Sequence, residues 1–117
     1  MRKIILGRTK ASVSAISLGT WAFGGENKVG KKSVGWANQS DSDSRAVLIK
    51  AWEKDINHWD TADVYGEGHS ERVIGSAWRE ISRKSIFLES TLTNNFHHSQ
   101  TKVIAELHFP KSKSSLI

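Results

Sequence analysis

The fold is decided by one stretch of the chain, Trp59-Asp60-Thr61-Ala62-Asp63-Val64-Tyr65-Gly66-Glu67-Gly68-His69-Ser70-Glu71. Residues 56–59 are typical of a short buried strand that Asp60 closes, and Ser70 with Glu71 supplies a capping hydroxyl and an acid for the first turn of a helix. A carboxylate at the end of a strand and a phenol five residues later can face one cleft. Because a phenol whose acidity is tuned by neighbouring charge can transfer a proton, Asp60 and Tyr65 are candidate site residues.

Strand and helix patterns alternate on both sides of this stretch. The predicted elements are a hairpin (3–6 and 12–16), a first parallel strand (15–18), a glycine-containing loop (19–38), a helix (41–54), a second strand (56–59), a second helix from Ser70 and a third strand (84–88). Asp55 follows the first helix and is expected to take the left-handed conformation that ends it. The alternating order predicts right-handed βαβ units, which belong to the α/β class.

The periodic pattern weakens beyond Leu88. Residues 103–110 would form a fourth strand, and residues 111–117 are typical of a basic, flexible tail. We therefore expect a domain over residues 1–110 and a tail over residues 111–117.

The composition narrows the classes of function. A share of 38% hydrophobic and 25% charged residues favours a folded chain. The net charge of +5 is scattered without a long basic block, which argues against a nucleic-acid partner. With no cysteine there is no thiol chemistry, and the His97-His98 pair with His108 lacks the companions of a metal site, so no metal is expected. With no signal peptide and no long apolar run, the expectation is a cytoplasmic protein without a membrane partner.

A second stretch upstream, Leu18-Gly19-Thr20-Trp21-Ala22-Phe23-Gly24-Gly25, completes a family pattern. Together the two stretches resemble the aldo-keto reductase family, and the resemblance is close from Arg2 to about Leu88. It implies a (β/α)8 barrel that uses NADP to reduce aldehydes and ketones. A complete barrel needs about 250 residues, so this chain of 117 is expected to form a partial TIM barrel, with an N-terminal hairpin and three to four parallel strands. The resemblance also implies the site residues: catalytic Asp60, Tyr65 and His108, with Gly19, Thr20, Trp21 and Asp60 at the cofactor.

The chain departs from the family pattern at two catalytic positions. The family pairs its tyrosine with a lysine at the end of the third strand, and here Thr91 stands at that position. A threonine hydroxyl cannot supply the missing positive charge. His108 matches the family histidine, but it follows Thr91 by only 17 residues, about half the usual separation. A deletion, a frame shift or chance would each explain that spacing.

These departures leave two hypotheses for the function. The first is a truncated NADP-dependent reductase of a small carbonyl substrate, with impaired or no activity. The second is a non-catalytic remnant or interaction module that self-associates through an open sheet edge. A plainer interpretation of the motif also remains, in which Asp60 anchors a loop and Tyr65 is a half-buried aromatic residue.

Overall fold

Three parallel strands with two helices against one face organise the part of the chain that the computed structural model describes, which is residues 1–29, 31–93 and 99–102. The strands are β1 (Lys3–Ile5), β2 (Ser12–Ser14), β3 (Leu18–Gly19), β4 (Glu26–Val29), β5 (Lys32–Gly35), β6 (His58–Ala62), β7 (Phe87–Thr93) and β8 (Ser99–Lys102). The helices are α1 (Asp41–Glu53) and α2 (His69–Ser76), with 3-10 turns at Gly7–Thr9, Trp21–Gly24, Ala77–Arg79 and Arg83–Ser85. The α/β class predicted from the sequence is confirmed.

The main sheet has the order β3-β6-β7-β8, in which β3, β6 and β7 run parallel and β8 is antiparallel to β7. Strands β1 and β2 form the predicted N-terminal hairpin. Side chains alternate between the two faces of a strand, so the fully buried Trp59 and Thr61 point one way, and Asp60 points the other. We call the face that carries His58, Asp60, Ala62, Glu89 and Thr91 the inner face.

The hydrophobic core lies on the opposite face of the sheet, between the strands and the two helices. Trp59 is fully buried there, and its ring stacks on Trp78 with centroids 5.8 Å apart. The spacing of apolar residues predicts a buried stripe in the second helix, consisting of Val73, Ile74, Ala77, Trp78 and Ile81. All of these are buried except the half-buried Trp78, although α2 itself ends at Ser76. The apolar face that the sequence predicts for the first helix, residues 46–49 with 51 and 52, is too wide. Leu48 and Ala51 are buried, whereas Val47 and Trp52 are 42% and 41% exposed.

The ends of the helices are only partly as predicted. Asp55 follows α1 with a φ of 61°, which confirms the left-handed stop, and its carboxylate pairs with Lys3 at 2.8 Å. Helix α2 begins one residue earlier than predicted, and Gly68 occupies its N-cap position. Ser70 was expected to cap this helix, but the helix has no side-chain cap, because the Ser70 hydroxyl is turned inward to partners on other elements. That part of the prediction is wrong.

The loop predicted over residues 19–38 contains regular structure. A 3-10 turn at Trp21–Gly24 is followed by the antiparallel pair of β4 and β5, with Glu26 opposite Gly35. The second strand also extends beyond its predicted end, so Asp60 lies within β6 rather than after it. Tertiary pairing explains the extension, because residues through Ala62 pair with β7.

The carboxyl end of β7 differs most from expectation. The third strand runs from Phe87 to Thr93, and β8 pairs with it in the antiparallel direction, with Thr91 opposite Thr101. Only residues 94–98 separate the two strands, and a parallel crossover needs at least about ten residues, so the chain can only turn back here. The edge of β7 that faces away from β6 is therefore paired with β8. The predicted strand at 103–110, His108 and the tail at 111–117 lie outside the described residues.

Candidate functional site

Asp60 occupies the centre of the inner face. It lies in register between Gly19 of β3 and Glu89 of β7, the two neighbouring parallel strands. Partial burial raises the pKa of Asp60, and the negative charge of Glu89 raises it further. His58 acts in the opposite direction, and its Nε2 lies 3.3 Å from Glu89 Oε2. The carboxylate thus sits in an acidic rather than a basic environment.

Tyr65 lies in the loop between β6 and α2. Both of its backbone groups are engaged, since its amide donates to the Ala62 carbonyl at 3.2 Å and its carbonyl accepts from the Ser70 amide at 3.2 Å. Burial raises the pKa of the Tyr65 phenol, and the charge of Asp60 raises it further. The structure therefore brings Asp60 and Tyr65 within electrostatic range of each other.

A close approach between two backbone segments seats the tyrosine loop. Gly66 has a φ of +63°, and a Cβ added there would lie 2.1 Å from the Gly24 carbonyl oxygen. A Cβ added at Gly24 would lie 2.6 Å from the Tyr65 carbonyl carbon. Only glycine fits on both sides of this contact. The loop with Tyr65 is thereby pressed directly against the 3-10 turn that begins at Trp21.

Three fully buried hydroxyl groups connect the same elements, those of Thr20, Thr61 and Ser70. The Thr20 hydroxyl and amide both donate to the Asp60 carbonyl, at 2.8 and 3.0 Å. The Ser70 hydroxyl lies 2.9 Å from both the Thr20 carbonyl and its hydroxyl, and 3.1 Å from the Thr61 hydroxyl. Uncharged hydrogen bonds therefore fix the backbone of Asp60.

Aromatic rings stand beside the tyrosine. The centroid of Trp21 lies 6.4 Å from that of Tyr65 and 6.2 Å from that of Trp36. Trp21 and Trp36 are 51% and 54% exposed, which is unusual for rings of this size. The three rings form an accessible aromatic surface next to the phenol.

The residues predicted at the cofactor fall into two groups. Gly19 is exposed beside Asp60, with no atom within 4 Å of an added Cβ, and Trp21 is also accessible. Thr20 is fully buried and its hydroxyl donates to the Asp60 carbonyl, so it positions its neighbours. Its place at the cofactor stays a prediction. In the described ranges, no three metal-binding side chains lie close enough together to hold an ion.

Thr91 lies where the sequence predicted a departure from the family. It pairs with Ala62, on the same face as Asp60 and next to Glu89. Within the described part of the chain, no lysine or arginine forms an ion pair with Asp60 or Glu89. The raised pKa of Tyr65 agrees with this, because a cation of the described residues close to the phenol would lower it.

Sequence reasoning missed several participants in this site. Glu89 lies two residues before Thr91 in the same strand, so the alternation of side chains could have placed it on the same face. His58 and Trp36 gave no signal, because only the strand pairing and the β4–β5 hairpin bring them near. Ser70 was noticed, but for a different role.

The fold and the site together define a class of protein. Asp60 lies near the carboxyl end of a parallel strand and Tyr65 lies in the loop after it, and (β/α)8 barrel enzymes have their active sites at that end of their strands. The sequence model of the Aldo/keto reductase family matches residues 15–114. The chain belongs to this family.

Individual relatives agree with that assignment. The chain is 34% identical over 93 residues to the NADH-specific methylglyoxal reductase of Escherichia coli, covering 77% of this chain and 26% of that protein. It is 33% identical over 84 residues to the pyridoxal 4-dehydrogenase of Microbacterium luteolum, covering 72% and 22%. The crystal structure of the thermostable aldo-keto reductase Tm1743 is similar at a TM-score of 0.62 and 32% identity, covering 79% of this chain and 31% of that one. The chain thus spans about a quarter of the length of these two curated relatives.

Proposed function

We propose that this chain carries the aspartate–tyrosine part of an aldo-keto reductase site, which reduces aldehydes and ketones with a nicotinamide cofactor and is impaired in this sequence. The observation that carries the proposal is the placement of Asp60 on the inner face beside exposed Gly19, with Tyr65 in the loop that directly follows the same strand. The charge of Asp60 raises the pKa of the Tyr65 phenol, which agrees with this placement. The exposed Trp21 next to Tyr65 supports it, because a small carbonyl compound could lie against that ring.

The chemistry assigns a distinct task to each group. The nicotinamide supplies a hydride when it is bound, and a phenol can give its proton to the carbonyl oxygen that gains negative charge. Tyr65 is the proton donor in this proposal. Its raised pKa keeps the proton on the phenol but makes it a weaker acid. Since Thr91 carries no positive charge, we expect activity to be low or absent.

Gly19 and Trp21 are the residues that would border the nicotinamide ring. The open space at Gly19 and the exposed indole of Trp21 suit a flat ring near Asp60. We favour NADP as the cofactor on the family resemblance. A relative whose name specifies NADH makes the choice of nicotinamide a question for experiment.

A non-catalytic role is the second candidate, and the acidic inner face favours it. Asp60 and Glu89 lie side by side without a lysine or arginine partner in the described ranges, which weakens a carbonyl-reducing site. Among the described strands, β3 pairs only with β6, so its outer edge is available to another chain. In this proposal the chain acts as a remnant that self-associates through that edge. Both proposals place the protein in the cytoplasm, without a nucleic-acid or membrane partner. Neither of the two described α-helices is long and apolar enough to span a bilayer.

Cofactor binding and turnover separate the two candidates. NADPH and NADH are titrated into the full chain while tryptophan emission is followed, and loss of nicotinamide absorbance is measured with an added aldehyde. The reductase would be supported if the chain binds a nucleotide and turns over slowly. Turnover should then be abolished by Tyr65→Phe and preserved by Val64→Ala in the same loop. A folded chain that binds neither nucleotide would contradict it, and a dimeric native mass would then favour the interaction module.

A further inference from the structure

We propose that Ser70 is a positioning residue, which holds Asp60 and Tyr65 in their mutual arrangement through Thr20. The inference rests on the proposed function, because it concerns how the same acid pair is kept in place. Three neighbours carry it: the backbone of Tyr65, the whole of Thr20 and the hydroxyl of Thr61.

The amide of Ser70 holds the tyrosine side of the site. It donates to the Tyr65 carbonyl at 3.2 Å, which ties the loop to the first turn of α2. The Gly24–Gly66 contact fixes the other side of that loop. The position of the phenol therefore depends on where Ser70 sits.

The hydroxyl of Ser70 holds the aspartate side. Thr20 is 50 residues away in the sequence, yet its carbonyl and hydroxyl both lie 2.9 Å from the Ser70 hydroxyl. Thr20 in turn donates its amide and its hydroxyl to the Asp60 carbonyl. The buried Ser70 is thus hydrogen-bonded directly to the backbone of Tyr65 and is linked to the backbone of Asp60 by way of Thr20.

Counting protons gives this network a direction. Each of the three hydroxyls has a single proton. Thr20 uses its own on the Asp60 carbonyl, so Ser70 must direct its proton at Thr20. Thr61 is then the donor of the 3.1 Å bond to Ser70. The chain of donors runs from Thr61 through Ser70 and Thr20 to Asp60. Removing its middle member takes the acceptor from the buried Thr61 hydroxyl and releases Thr20 from α2, although the Thr20 carbonyl still accepts from the Phe23 amide at 3.0 Å.

The competing explanation is that Ser70 only stabilises the start of α2. A serine at a helix start usually accepts a hydrogen bond from a backbone amide of the first turn. Helix α2 has Gly68 at its N-cap and no side-chain cap, so the hydroxyl of Ser70 is not used in that way. Its partners on β6 and after β3 are the ones that a positioning role requires.

The chain offers a direct readout, because Tyr65 is its only tyrosine. The ultraviolet absorbance of the phenolate reports the pKa of Tyr65 without any need for activity or cofactor. Asp60→Asn should lower that pKa, since the carboxylate charge raises it. In a Ser70→Ala background the same Asp60→Asn change should have about half its effect or less, which is the non-additivity expected of coupled residues. Each titration is confined to the pH range in which circular dichroism remains native.

Two further variants keep the test decisive. Ser76→Ala in the same helix is the control, because the Ser76 hydroxyl bonds only to the Val73 carbonyl, one turn earlier. If Ser70→Ala does not fold, Ser70→Cys replaces it, since a thiol is a much weaker donor. Rescue of the full Asp60→Asn effect by Ser70→Thr would support positioning. An effect that is unchanged in a folded Ser70→Ala or Ser70→Cys chain, or equally reduced by Ser76→Ala, would overturn it. Failure to bind both NADPH and NADH would refute the proposed reductase and leave this result intact.

Discussion

Asp60 has different interactions with the two strands that flank it. On the β3 side, Thr20 donates two hydrogen bonds to the Asp60 carbonyl, and Ser70 fixes Thr20. On the β7 side, Glu89 lies directly opposite and its charge raises the pKa of the Asp60 carboxyl. The first neighbour maintains the geometry of the site, and the second sets its charge. The geometry of Asp60 and the pKa of its carboxyl group therefore depend on different neighbours.

The difference follows from burial. The hydroxyls of the β3 side are fully buried, where an unpaired polar group is costly. Glu89 is 26% exposed and has His58 beside it, so its charge is partly solvated and partly paired. An acidic residue is tolerated at that position without disturbing the strand register. We expect substitutions on the first side to change stability and substitutions on the second to change acidity.

Gly66→Ala should have the largest effect, because it disturbs the close backbone contact with Gly24, which follows β3. The new methyl group would meet the Gly24 backbone in a conformation that already disfavours side chains, at a cost of about 2–5 kcal/mol in the free energy of unfolding. Gly7→Ala is the control, with a positive φ of 48° but nothing within 4 Å of the added Cβ. It should cost only about 1–3 kcal/mol. Equal losses in urea denaturation would show that the contact with Gly24 is unimportant.

Ser90→Ala comes next, since Ser90 ties the third strand to α2. Its buried hydroxyl donates to Glu71 Oε1 at 2.8 Å. Loss of a hydrogen bond to a charged group, partly replaced by water at Glu71, should lower the free energy of unfolding by about 1–2 kcal/mol. Ser85→Ala removes an exposed local bond to the Ser82 carbonyl and should stay within about 0.5 kcal/mol of wild type. If Ser90→Ala leaves the free energy of unfolding unchanged, the hydrogen bond between Ser90 and Glu71 does not stabilise the packing of the sheet on α2.

Thr91→Lys should change acidity with little effect on stability. A lysine at this position would share the inner face with Asp60 and Glu89, and its charge should lower the pKa of both Asp60 and Tyr65. Phenolate absorbance measures the Tyr65 shift. Ser85→Lys adds the same charge on an exposed position before β7 begins, and it should leave the Tyr65 pKa nearly unchanged. Matching titrations for the two variants would indicate that Thr91 does not face the acid pair.

The sequence predicted the elements that are determined by local pattern. Periodicity and the residues at helix ends predict the hairpin, both helices, the parallel strand order and the left-handed conformation of Asp55. The structure confirms each of them. The β4–β5 hairpin was missed, because its residues are polar and rich in glycine and only their pairing reveals a strand. The antiparallel β8 was missed for a related reason, since its direction depends on how few residues precede it.

The sequence could suggest which residues form the candidate site, but not the charges and hydrogen bonds that act on them. Asp60 and Tyr65 could be predicted as neighbours, because a strand end and the loop after it must lie close together, and their role in a site stays a prediction. The acidic influence of Glu89 could not be derived, since it depends on the register between β6 and β7. Ser70 shows the same limit, because a serine before a glutamate at a helix start has the sequence of an ordinary cap. The role of His108 stays a prediction.

Asp60→Asn should have the smallest effect, and its sign distinguishes the two sides of the comparison. Because folding raises the pKa of Asp60, the folded chain binds more protons than the unfolded chain between the two pKa values. The free energy of unfolding therefore falls as pH rises through that window, and above it the full penalty is present. Asp60→Asn removes the penalty, so the variant should be slightly more stable than wild type at neutral pH. The gain should disappear as pH falls toward about 3.9, the ordinary value for aspartate.

Asp55→Asn is the control of opposite sign for that experiment. A hydrogen bond from Lys3 lowers the pKa of Asp55, so this carboxylate stabilises the fold above its unfolded pKa and ceases to do so as pH falls through its folded pKa. The variant should be less stable than wild type at neutral pH, with a loss that shrinks on acidification. Urea denaturation of both variants between neutral and acidic pH measures the two trends. If Asp60→Asn behaved like Asp55→Asn, the carboxyl group of Asp60 would have a stabilising partner, and the acidic environment assigned to the β7 side would be wrong.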